Sequence, residues 1–196
     1  MKTILFQGDS VTDCGRKRDD PDGLGEGYPL HVSKLLPDAR ALNRGISGHR
    51  AKDLVARWQE DCLDLRPDIV SILIGINDVW RRYDSNDPTS DEAFEASYRQ
   101  LLEPLRGKHV LLITPFLLDV SEAVTAMRED LTGKQAVVRR LAAEYGAKLL
   151  DADEWFRCLV RETGNPPARY AEDGVHPTQA GHKMLALLVK GAVETL

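Results

Sequence analysis

Thr3-Ile4-Leu5-Phe6-Gln7-Gly8-Asp9-Ser10 opens the chain with a short apolar run that stops at a glycine. The run has the length of a strand, and a glycine at its end lets the backbone turn tightly and stay open to a ligand. The same design returns in Ile69-Val70-Ser71-Ile72-Leu73-Ile74-Gly75. Residues 39–42, 110–114 and 148–150 form three more strand-length runs. With 3–7 and 69–74, they carry β-branched residues and leucine with little polar alternation, which suits strands buried on both faces. Helical patterns lie between them at 28–36, 51–65, 91–105, 132–145 and 152–160, with a last one at 178–195. Leu54, Trp58, Cys62 and Leu65 follow the 3–4 spacing of a core-facing helix stripe. Strands alternating with helices predict an α/β protein, a parallel sheet covered by helices on both sides. Polar or glycine-rich loops are expected at 14–27, 81–90 and 162–174, where function gathers in such folds.

Composition narrows the partners. The 196 residues suggest one domain over 1–196. A net charge of −5 argues against a broad nucleic-acid surface. No apolar run approaches the ~20 residues that span a bilayer, and the first residues lack a secretory pattern. Cys14, Cys62 and Cys158 match no zinc spacing and read as reduced thiols, so a cytoplasmic location is expected, with no membrane partner. Asp151-Ala152-Asp153 is too small a set for a metal, and helix capping accounts for either carboxylate. No metal or cofactor is expected.

Gly8-Asp9-Ser10, Asn43-Arg44-Gly45, Gly75-Ile76-Asn77-Asp78 and Asp173-Gly174-Val175-His176 carry the chemistry. A serine hydroxyl is a weak nucleophile until a base takes its proton. Ser10 is the candidate nucleophile and His176 the candidate base. Asp173 stands three residues earlier and can hold the imidazole tautomer, although a turn or N-cap role competes. Pro177 keeps His176 out of helical geometry. The amides of Ser10 and Gly45 and the side chain of Asn77 are candidate oxyanion donors. Asn77 also reads as a turn former.

The four segments, in this order from residue 8 to residue 177, resemble the SGNH hydrolases, also called the GDSL esterase family. The resemblance implies a three-layer α/β/α sandwich with a five-stranded parallel sheet, a flavodoxin-like arrangement. It places the nucleophile on Ser10, the acid–base pair on Asp173 and His176, and the oxyanion hole on Ser10, Gly45 and Asn77. Gly8 to Arg16, Gly45 to Gly48 and Gly75 to Arg81 further resemble the small bacterial carbohydrate acetylesterases, acetylxylan esterases among them. That likeness implies an oligosaccharide or small-molecule ester substrate and, for some members, homo-oligomers. Val11 and His49 depart from the usual residues, and His49 bears on the pocket rim. No Gly-x-Ser-x-Gly elbow is present, which disfavours the α/β-hydrolase fold.

Asp9, Trp80, Arg81 and Val175 are candidate substrate contacts. Trp80 could stack on a sugar or simply pack, and Arg81 could donate to sugar hydroxyls. Asp9 and Thr12 suit loop-holding hydrogen bonds better than catalysis. Tyr28 reads as helix-start packing, and His31, His109 and His182 as structural or solvated. Lysophospholipase or thioesterase activity is the alternative within enzymes, disfavoured by the polar loops around Arg16 and Arg81. A non-catalytic sugar-binding module and a flavodoxin-like binding protein are the alternatives from another class.

Overall fold

The computed structural model describes residues 1–196. Five parallel strands form one sheet: β1 (Thr3–Gly8), β2 (Arg40–Asn43), β3 (Ile69–Leu73), β4 (His109–Ile113) and β5 (Lys148–Leu150), in the order β2-β1-β3-β4-β5. Alternate side chains leave the sheet on opposite faces. Ile4, Phe6 and Ile113 meet α2 (Tyr28–Leu35), α8 (Ala152–Thr163) and α9 (Gln179–Val193) through Val32, Phe156 and Leu185. Leu5, Val70 and Ile72 meet α3 (Ala51–Ala56), α5 (Asp91–Leu102) and α7 (Arg128–Tyr145) through Leu54, Tyr98 and Val138. The result is the expected α/β/α sandwich. No helix is long and apolar enough to cross a membrane.

Strand order reverses between β1 and β3, because β2 lies on one side of β1 and β3 on the other. A crevice opens at such a point beyond the carboxyl ends of the strands. Gly8 ends β1 opposite Leu73, which ends β3, so the segments after both strands emerge side by side. These segments carry Ser10, in α1 (Ser10–Asp13), and Asn77, in α4 (Ile76–Ser85).

The structure differs from the sequence reading at several helices, among them the short α1, which was not expected. Asn77, which also reads as a turn former, lies in the first turn of α4, and residues 81–85, expected in a loop, lie within the same helix. Ile76, Asn77, Asp78 and Val79 are buried, and packing of this first turn outweighs its polar remainder. The helix expected over 51–65 ends as α at Ala56 and continues as a π turn, Gln59–Leu63. Leu54, Trp58 and Cys62 repeat every four residues, a spacing that drifts about 40° per step on an α-helix. The wider π turn keeps all three buried. A five-residue helix, α6 (Glu122–Ala126), escaped the periodicity altogether.

Candidate active site

Ser10 is the first residue of α1. Asp9 caps that turn, its Oδ1 accepting from the Val11 amide at 3.1 Å. His176 and Asp173 lie on the loop before α9. Asp173 Oδ1 accepts from the Val175 amide at 2.9 Å and the His176 amide at 2.7 Å. Its Oδ2 lies 2.6 Å from His176 Nδ1, and Nε2 lies 2.8 Å from Ser10 Oγ. An ionised carboxylate only accepts, so Nδ1 carries the hydrogen and Nε2 accepts from the serine. Partial burial pushes the Asp173 pKa up, but the hydrogen bonds from the His176 ring and the two amides outweigh it and leave it lowered. Both side chains are nearly half exposed, at 47 % and 45 %, so water and salt weaken their attraction.

The expected oxyanion donors need one correction. The Gly45 amide donates to Asn43 Oδ1 at 2.8 Å and is already spent. Gly45 is glycine for another reason: a Cβ there would sit 2.4 Å from the Asp13 nitrogen. Gly48 is different. Its φ of +83° suits glycine, the space beside it is open, and its amide has no acceptor within the chain. Asp13, at the other end of α1 from Ser10, accepts from the Ser47 amide and hydroxyl, both at 2.9 Å, and so anchors the residue before Gly48. On the other flank, the His49 carbonyl accepts from Asn77 Nδ2 at 3.0 Å. The sequence held this signal in Gly45-Ile46-Ser47-Gly48, where two glycines compete for one role.

Asn77 itself is 3 % exposed, at the floor of the crevice. Trp80, one turn on, lies beside His176, with ring centroids 5.8 Å apart. Arg81 reaches back to Asn77 Oδ1 at 3.3 Å and forward to Asp84. Asp9 and Val175, expected to touch substrate, are 1 % and 2 % exposed, so neither side chain faces a ligand. Asp9 does hold backbone, and burial pushes its pKa up to about 7 despite the Val11 hydrogen bond and the nearby His176. His49 is half-buried, and its Nδ1 accepts from Arg57 Nε at 3.3 Å. Burial and then the Arg57 charge lower its pKa, which favours a neutral ring.

An open depression of about 390 Å³ runs beside His176, lined by Glu172, Asp173, Pro177, Thr178 and Gln179. The apolar cavity behind Asp9, bounded by Val11, Ile74 and Phe116, holds only about 10 Å³. A larger cavity of about 430 Å³ lies beside Lys2, Ile69 and Leu196, at the opposite ends of the strands, away from this chemistry.

Residues 6–184 match the model of the GDSL-like lipase/acylhydrolase family. The chain belongs to this family. An acetylxylan esterase of Geobacillus stearothermophilus is 40 % identical over 200 residues, 93 % of this chain and 90 % of that one. The crystal structure of Axe2, an acetylxylan esterase of the same organism, superposes with a TM-score of 0.89 at 38 % identity over 98 % of this chain and 94 % of its own. Solved variants of Axe2 described as catalytic mutants replace a serine, a histidine and an aspartate by alanine. A GDSL-like lipase-type structure from Parabacteroides merdae matches with a TM-score of 0.89 at 31 % identity, over 100 % of this chain and 96 % of that one.

Other residues of this GDSL-type esterase have structural work. His182 is buried, its Nδ1 accepting from the Tyr28 amide at 3.1 Å and its Nε2 lying 3.3 Å from Cys14 Sγ. Tyr28 starts α2 and is fully buried. Asp151 caps α8 by accepting from the Glu154 amide at 3.3 Å, and Asp153 pairs with Arg128 at 3.0 Å. All three cysteines are free thiols.

Proposed function

We propose that this esterase removes acetyl groups from carbohydrate esters, with acetylated xylo-oligosaccharides as the substrate class. The observation that carries the reading is the continuous line Asp173–His176–Ser10, at 2.6 and 2.8 Å, with Asp173 and His176 on the wall of an open depression. His176 takes the Ser10 proton as Oγ attacks the acetyl carbonyl. The oxyanion is held by the Ser10 and Gly48 amides and by Asn77 Nδ2. His176, held by Asp173, then protonates the departing sugar oxygen. Water, activated by the same imidazole, releases acetate.

The segments around Arg16 and Arg81 are strongly polar, which favours a short acyl group over the lysophospholipid and thioester alternatives. A half-exposed base suits a hydrated leaving group. The serine–imidazole contact argues against a purely sugar-binding role. Free thiols fit a cytoplasmic location, and the chain is read as one domain that associates with copies of itself.

The test is acetate release from acetylated xylo-oligosaccharides by wild type and Ser10→Ala. Release that vanishes in the variant supports both nucleophile and substrate class. Hydrolysis of p-nitrophenyl acetate alone keeps the esterase and discards the xylan substrate. A chain-length series of p-nitrophenyl esters should peak at acetate; a peak at octanoate would overturn the acetyl reading.

A further inference from the structure

Asn77 has two hydrogen-bond commitments that act together. Nδ2 donates to the His49 carbonyl at 3.0 Å, and Oδ1 accepts from Arg81 Nη2 at 3.3 Å. Arg81 lies one turn further along α4, and its Nη1 is tied to Asp84. A primary amide can turn by 180° and exchange its oxygen for its nitrogen. Here the exchange would set an NH₂ against a guanidinium, which only donates, and an oxygen against a carbonyl, which only accepts. Both contacts would become repulsive. One orientation survives, with a single Nδ2 hydrogen left uncommitted. The guanidinium charge also draws electron density toward Oδ1, which makes that hydrogen a stronger donor.

We propose that Arg81 is a positioning residue for the reaction: it orients and polarises the Asn77 amide toward the oxyanion, rather than binding the sugar. The proposal rests on the esterase reading of Ser10 and Asn77. An oxyanion exists only after attack, so a better donor acts on kcat and leaves KM nearly unchanged.

The experiment measures kcat and KM for p-nitrophenyl acetate and for acetylated xylo-oligosaccharide. It compares wild type, Arg81→Met, Arg81→Lys, Asn77→Ala and the Arg81→Met/Asn77→Ala pair, each checked by thermal melting. Losing one whole donor costs ~10²–10³, so Arg81→Met should lower kcat by roughly 10–10²-fold. The loss should be equal on both substrates, with partial recovery in Arg81→Lys. In the Asn77→Ala background, Arg81→Met should add almost nothing, because the amide it acts on is gone. A loss confined to KM for the sugar ester would overturn the proposal in favour of a sugar contact. Independent losses that multiply in the double variant would overturn it too, as would unchanged kcat. If Arg81→Met melts early, Arg81→Lys alone decides: wild-type kcat with an unshifted Asn77 side-chain amide ¹⁵N resonance would refute the proposal. Failure of the esterase reading looks different, as an inactive wild type or an active Ser10→Ala.

Discussion

Asn43 Oδ1 accepts the Gly45 amide at 2.8 Å, within the loop that approaches the nucleophile. This bond commits the Gly45 amide, and the proposed mechanism uses the Gly48 amide, which has no acceptor within the chain, in its place. A covalent phosphonate adduct on Ser10 tests the exchange. Its phosphoryl oxygen should lie at about 3 Å from Gly48 N and Asn77 Nδ2. An oxygen bound instead to Gly45 N, with the Asn43 contact broken, would reverse the assignment.

Asp173→Asn keeps an oxygen for the Val175 and His176 amides, so the loop should hold its shape. It offers Nδ1 a neutral partner in place of a charged one and permits the wrong tautomer. In a buried triad the same change costs about 10⁴ in kcat. Asp173 is 47 % exposed, and solvent can stand in for part of its charge, so a smaller loss is expected here. Single-turnover kinetics with p-nitrophenyl acetate would show it, and full retention of kcat would remove Asp173 from the mechanism.

Asp9 links pH to stability. Its carboxyl is pushed up to about 7 by burial, against 3.8 for an ordinary aspartate. Between these values the folded chain holds a proton that the unfolded chain has released, so stability falls as pH rises through the window. Asp9→Asn cannot ionise and can still accept from Val11. It should be more stable than wild type at pH 8, by on the order of a few kcal/mol. The difference should vanish near pH 4. Urea unfolding at both pH values measures this; equal gains at pH 4 and pH 8 would contradict the titration.

Trp80 packs on the His176 ring at 5.8 Å between centroids. Trp80→Ala should lower kcat/KM by roughly tenfold even on p-nitrophenyl acetate, because the imidazole loses a wall that limits its rotation. A defect seen only with the sugar ester would mark Trp80 as a stacking platform instead.

Much of the architecture was legible because it is local. Strand boundaries at 3–8, 69–73 and 148–150 follow apolar runs that end at turn residues, and each matches the reading within one residue. Helix α4 was missed because Arg81, Arg82 and Asp84 look like loop residues, while only four buried side chains in its first turn carry the packing. Leu54, Trp58 and Cys62 announced a buried helical face, but their spacing did not distinguish an α-helix from a π turn.

The sequence by itself determined the fold class, the order of the four segments and the residue types that meet at the switch point of the sheet. Those properties follow from periodicity and from turn chemistry within a few residues. Only the tertiary structure decided which glycine amide stays free, that Arg81 serves Asn77, and that Asp9 and Val175 lie beneath the surface. The reason is physical. A hydrogen-bonding group is available for chemistry only if no neighbour has claimed it. Asn77 takes its partners from residues 28 positions before it and four after, in an arrangement set by how the loops pack over β1 and β3.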